Sequence, residues 1–198
     1  MWDKRYSNEE FAYGTEANDF LKSEFAQIPK GGKVLCLAEG EGRNAVFLAK
    51  QGYQVTAVDQ SPVGLVKAKN FASQNGVEIS TIVADLNDYD LGENTWDGIV
   101  SIAAHVPPFL RKKLHTQVVK SLKADGIFIL EAYTERHLEM DGVGGPPNKE
   151  LLMSLKELTI ELNGLEFVIG QEVDRHISEG KFHQGESSVV QIVARKNS

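Results

Sequence analysis

Three carboxylates, two glycines and a histidine fall where a nucleoside can be held and a proton moved. Ala38, Glu39, Gly40, Gly42 and Asn44 share one short segment, Asp59 follows about 20 positions on, and Asp85 and His105 come later. Glycines let the backbone approach a ligand closely, and an acidic residue at that spacing accepts hydrogen bonds from ribose hydroxyls. The run therefore points to a site for an adenosine-type cofactor.

Alternating strands and helices must position these residues. Val34-Leu35-Cys36-Leu37 is a short apolar run suited to a buried parallel strand. A helix with Ala45, Leu48 and Ala49 on one side follows, then a strand over Tyr53-Val58, with Asp59 at its tip. Ser61 and Pro62 open the next helix as N-cap and first turn, and Gln74-Asn75-Gly76 closes it. Further strands are expected at Ile79 to Ala84, Trp96 to Ala103 and Ile127 to Ala132, with a helix from Pro107-Pro108 to about Lys123. The spacing also predicts helices over Glu16 to Ile28 and about Asn148 to Leu162, with a Gly/Pro loop between Gly142 and Pro147 as a candidate lid. Two extended segments, Glu166 to Ile177 and Ser187 to Ala194, close the chain across a short polar link and can pair only antiparallel. The expected architecture is α/β: a doubly wound, mostly parallel, seven-stranded Rossmann-like sheet with an antiparallel C-terminal hairpin. One domain spans 1–198: an N-terminal helical cover (1–30), a cofactor-binding half (31–135), and an acceptor-side helix with the hairpin (136–198).

Gly40-Glu41-Gly42-Arg43-Asn44-Ala45 fits a dinucleotide fingerprint with alanine in the third place. Three features favour S-adenosylmethionine over a nicotinamide. The antiparallel hairpin is foreign to the ordinary dinucleotide fold. Asp85-Leu86 lies where a carboxylate can accept the adenine amino proton while the next N–H meets a ring nitrogen. The Tyr-x-x-x-Lys pair of short-chain oxidoreductases is missing.

The ordered segments Val34 to Ala45, Val58-Asp59-Gln60-Ser61, Ala84-Asp85-Leu86-Asn87 and Trp96 to Ser101 resemble those of class I S-adenosylmethionine-dependent methyltransferases. Within them, Gly-x-Gly-Arg-Asn-Ala and Asp-Leu-Asn are similar to the tellurite-resistance and thiopurine methyltransferase group. The resemblance implies that the methionine end lies over the glycine loop (Ala38, Glu39, Gly40, Gly42, Asn44). It implies that Asp59 holds the ribose, that Gln60 and Ser61 flank the adenine edge, and that Asp85 and Leu86 contact the base. Ala103 would lie beneath the sulfonium, and Tyr13, in an aromatic N-terminal segment, against the methionine end. The chain departs from the family at Cys36, which replaces an acidic residue, and at Ala38-Glu39, which replaces glycine and a small residue.

The implied reaction is methyl transfer to a small acceptor: an oxyanion, a thiol or another metabolite. His105, after the fourth strand, is a candidate base. Tyr133, with Glu131, is a candidate wall of the acceptor pocket. Arg175, with His176, His183 and Arg111, is a candidate cationic pocket. The histidines lack the spacing of a zinc site, so no metal is expected. A net charge of −7 disfavours a nucleic-acid partner, no apolar run is long enough to span a bilayer, and the lone cysteine fits a reducing cytoplasm. A non-catalytic S-adenosylmethionine-binding module and a nicotinamide-dependent oxidoreductase are the alternative readings.

Overall fold

A computed structural model describes residues 2–197. Seven strands form one sheet: β1 (Lys33–Leu37), β2 (Gln54–Asp59), β3 (Ser80–Val83), β4 (Trp96–Ile102), β5 (Leu122–Tyr133), β6 (Leu165–Glu179) and β7 (His183–Lys196). Their order is β3-β2-β1-β4-β5-β7-β6. The ladders are parallel from β3 through β5, and β7 is antiparallel to both of its neighbours. Six helices complete the described residues: α1 (Trp2–Tyr6), α2 (Asp19–Glu24), α3 (Arg43–Lys50), α4 (Pro62–Gln74), α5 (Pro108–Ser121) and α6 (Leu155–Glu161). One face of the sheet packs Phe20, Leu21, Ala45, Leu48 and Leu65 against β1 and β2. The other packs Leu114, Val118, Leu158 and Leu162 against β4, β5 and β7. Apolar side chains on both faces explain why the central strands read as continuous hydrophobic runs.

Several bounds differ from those expected. The N-terminal helix shrinks to α2 followed by a 3-10 turn at Phe25–Gln27, because the Asn18 side chain accepts from the Leu21 N–H and starts the helix there. The helix expected over Asn148 to Leu162 breaks into a 3-10 turn, Lys149–Leu151, and the short α6, started by the Ser154 cap on Glu157 N–H. β5 begins at Leu122, with an irregularity in its register before Ile127. The Gly142-to-Pro147 loop is pinned: Val143 bridges to Gln184, and Gly144 and Gly145 lie so close to Tyr133 that a Cβ would meet its ring atoms or hydroxyl within 3 Å.

The hairpin is longer than its apolar pattern suggests. β5 pairs with β7 only as far as Val189, yet β6 and β7 continue together to Glu179 and His183. This arm carries polar residues beyond the carboxyl end of β5. There the N-terminal segment meets it, with Lys181 N–H donating to the Ala12 carbonyl at 3.1 Å and Gly14 packed on Gly180.

Away from this end, Arg111 is buried between α5 and α6. It donates to both carboxylate oxygens of Glu161 and to the Leu152 carbonyl, and His115 Nδ1 lies 2.7 Å from Glu161. Burial alone would raise the Glu161 pKa, but His115 and Arg111 hold it below the ordinary value. Removing one member of a buried pair strands the other. Arg111→Ala is therefore expected to lower stability by about 3–5 kcal/mol in urea unfolding. A loss under about 1 kcal/mol, the size of an exposed pair, would contradict this role.

Candidate functional site

The carboxyl ends of β1, β2 and β4 and the segment after β3 enclose a cavity of about 510 Å³, well within the range of small-molecule sites. It lies where ligands bind in open α/β sheets, beyond the strand ends where the strand order reverses. Two alanines mark its floor with left-handed backbone: Ala38 (φ 50°) after β1 and Ala103 (φ 54°) after β4. Such strain in residues with a Cβ concentrates at ligand-binding sites.

Each acidic residue is fixed by its own element. Glu39 accepts from the Ala45 N–H at 2.7 Å and so caps α3. Burial raises its pKa from 4.5 to about 7, against the backbone donors of Ala45 and Asn44 and the charge of Arg43, which lower it. Asp59 ends β2 and accepts from the Gly40 and Ser61 N–H groups, both at 2.8 Å. Burial raises its pKa as well, against those donors. Asp85 accepts from the Asn87 N–H in a tight turn. Asn44 accepts from the Asn18 N–H and lines the cavity.

Of the residues the resemblance points to for a cofactor, Tyr13, Ala38, Glu39, Asn44, Asp59, Gln60, Asp85, Leu86 and Ala103 all reach the cavity wall. Gly40, Gly42 and Ser61 shape the wall from behind. A Cβ on Gly40 would lie 2.7 Å from the Tyr6 hydroxyl oxygen, and one on Gly42, at φ 90°, would lie 2.6 Å from the Ala68 Cβ. Ser61 is 1% exposed, and its hydroxyl accepts from the Gly64 N–H and donates to Asp3.

The three catalytic candidates sit in settings that resist the roles expected of them. His105 lines the cavity, but both ring nitrogens are engaged, Nδ1 with the Leu151 carbonyl at 2.8 Å and Nε2 with the Tyr133 N–H at 3.2 Å. Burial lowers its pKa to about 4, and this neutral ring has no lone pair free for an acceptor's proton. Tyr133 is 2% exposed and packs among His105, His137 and His183, behind the cavity wall. Arg175 is bound to Glu131 at 2.7 Å and Glu179 at 3.2 Å. His176 pairs with Glu186 on the surface, and Arg111 lies between α5 and α6, so the expected cationic pocket does not assemble. His183 alone of that group reaches the cavity. Trp2 and Tyr6, in the same aromatic N-terminal segment as Tyr13, also line the cavity, whereas Phe11 does not; Arg43 and Phe109 were not expected in the wall.

Residues 34–126 match the family described as Methyltransferase domain. The chain is 34% identical over 118 residues to an uncharacterized methyltransferase, YbaJ, of Bacillus subtilis, covering 58% of this chain and 45% of that protein. It is 32% identical over 111 residues to a probable S-adenosyl-L-methionine-dependent methyltransferase, TehB, of Haemophilus influenzae, covering 56% of this chain and 38% of that one. The chain thus spans less than half the length of these two curated relatives. The crystal structure of Haemophilus influenzae TehB superimposes with a TM-score of 0.73 and 21% identity, covering 99% of this chain and 66% of that one. The chain has the class I methyltransferase fold and resembles the TehB group.

Glu39 yields a prediction with a definite sign. A carboxyl whose pKa rises on folding holds its proton more tightly in the folded state, so stability falls as pH climbs from its unfolded value of 4.5 through about 7. Glu39→Gln keeps an acceptor for Ala45 and removes the titration. Urea unfolding at several pH values should show wild type losing stability across this window relative to the variant. Parallel curves would contradict a Glu39 that holds its proton more tightly on folding.

Proposed function

From the methyltransferase domain at residues 34–126, we propose that this chain transfers a methyl group from S-adenosylmethionine to a small-molecule acceptor. The observation that carries the reading is one cavity walled by Glu39, Asp59 and Asp85 in chain order, with the strained Ala38 and Ala103 at its floor. These residues suit the cofactor. Asp59 and Asp85 offer acceptors at the spacing for a ribose and an adenine amino group. Glu39 is a proton-holding carboxyl in the wall, and a nearby cation would favour its charged form.

S-adenosylmethionine, when bound, supplies a methyl group on an electrophilic sulfonium. The chain's own part is to bind, orient and exclude water. Ile102, Ala103 and Leu86 supply apolar wall, and Trp2, stacked on Tyr6 at 5.8 Å, covers it from the N-terminal side. The enclosed cavity favours a small acceptor over a nucleic acid, in keeping with the net charge of −7. No helix of the described residues is long and apolar enough to cross a membrane. The single buried Cys36 suits a reducing cytoplasm.

The test is mass spectrometry of the purified protein with S-adenosylmethionine and a panel of small thiols, phenols and chalcogen oxyanions. The expected result is a methylated acceptor with stoichiometric S-adenosylhomocysteine. Tight cofactor binding without product across the panel would instead favour a binding module.

Asp85→Ala is expected to weaken S-adenosylhomocysteine binding about 10- to 100-fold, the worth of a hydrogen bond to a charged group, with little change in melting temperature. Asp59→Ala should weaken it at least as much and also loosen the glycine loop, since Asp59 anchors Gly40 and Ser61. Wild-type affinity in both folded variants would refute this assignment of the pocket.

A further inference from the structure

His183 differs from the other four histidines. His105 has both ring nitrogens engaged, and His115, His137 and His176 are bound to Glu161, the Gly144 carbonyl and Glu186. Among the described residues neither ring nitrogen of His183 closes a hydrogen bond, and neither is sealed off as an unpartnered buried atom. The ring is 8% exposed, lines the cavity, and is fixed by Tyr13 at 4.5 Å and Tyr133 at 5.4 Å between centroids. Glu179 Oε2 lies 3.8 Å from Nδ1, too far for a hydrogen bond but close enough to stabilise a charged ring.

The charge around the cavity bears on what enters it. Arg43 is the one cationic arginine or lysine in the wall, and it is bound to Glu179 at 2.7 Å and to the Glu16 carbonyl. The carboxylates of Asp59 and Asp85 and the proton-holding Glu39 share that wall. Toward the mouth the lining is apolar, with Val106, Pro107, Leu110 and Phe109, the last 69% exposed. An anion entering this space meets carboxylates and no unpaired cation.

We propose that His183 is the general base of the transfer and that the acceptor is an uncharged, largely apolar molecule carrying a protonated thiol or hydroxyl. This rests on the methyl-transfer reading. His183 takes the proton from the acceptor's S–H or O–H. The acceptor atom bonds to the methyl carbon as the carbon–sulfonium bond breaks, its electron pair remaining on that sulfur. The positive charge ends on the imidazolium, beside Glu179, and the proton then leaves to solvent. The groups facing His183 set its resting state. Burial and Arg43 lower its pKa, Glu179 and Glu131 raise it, and the net shift is downward, so the ring is neutral and ready at pH 7. Tyr13, Tyr133 and His105 also surround it, and the pKa of both tyrosines is raised by burial, so they stay protonated there.

The experiment uses the full chain. Protein saturated with S-adenosylhomocysteine is titrated calorimetrically with benzyl mercaptan and, separately, with selenite; the thiol is expected to bind and the oxyanion not. Proton NMR of the ring, assigned with His183→Gln, should titrate below an ordinary histidine. With S-adenosylmethionine, kcat/KM for benzyl mercaptan should fall at acid pH in step with that titration. His183→Gln should lower kcat on this thiol about 100-fold or more, while still binding S-adenosylhomocysteine. Its loss on 4-nitrothiophenol, already a thiolate at neutral pH, should be at least tenfold smaller. Binding of selenite in place of the thiol, no methylated thiol from wild type, or equal losses on both thiols would each overturn the proposal. Failure of S-adenosylhomocysteine to bind is a separate result, and it would remove the methyl-transfer reading on which the proposal rests.

Discussion

A buried knot of charge at the hairpin tip holds the functional end of the molecule together. Glu179 receives Arg43 from α3, Arg175 from its own strand and the Asn18 side-chain amide from the N-terminal segment. Asn18 and Arg175 also reach Glu131 on β5. Burial by itself would raise the Glu179 pKa, but the guanidinium groups of Arg43 and Arg175 hold it far below the carboxylate range. Four separate parts of the chain are thus locked by ions that cannot be left unpaired. The cavity depends on this lock, because Arg43 and Tyr13 enter its wall from two of those parts and His183 enters from the start of β7, across the turn from Glu179.

The same knot explains which features the sequence disclosed. The glycine loop, Asp59 and Asp85 follow local rules of strand, turn and helix, and their order along the chain carries their arrangement in space. The antiparallel hairpin was legible because a short link between two extended segments permits nothing else. Its length was not. Residues 178–186 lack the apolar run of a buried strand, and their pairing rests on backbone hydrogen bonds and on the polar partners waiting at the tip. Arg175 read as a free cation because its main partner, Glu131, lies 44 residues away in sequence and only the fold brings the two together. His105 read as a base, but the Leu151 carbonyl and Tyr133 N–H that occupy its ring lie 46 and 28 residues away in sequence.

Fold and chemistry separate here as they do in other widely used architectures. The parallel half has the fold of the methyltransferase structures that this chain resembles. Around that half the cavity wall is completed by the aromatic segment 2–13, the Val106-to-Leu110 stretch and His183 at the hairpin tip. Among the described residues the charged groups at the hairpin tip, Arg43, Glu131, Arg175 and Glu179, are already bound to one another. This division is why the residues of the glycine loop and strand ends could be placed from sequence order, while those at the hairpin tip required side-chain partners.

The most direct test of the central claim is isothermal titration of the wild-type protein with S-adenosylmethionine, S-adenosylhomocysteine and NADH. The account predicts binding of the first two near micromolar strength, about −8 kcal/mol, and none of the third. Binding of NADH, or no binding of either sulfur ligand to the folded protein, would contradict it.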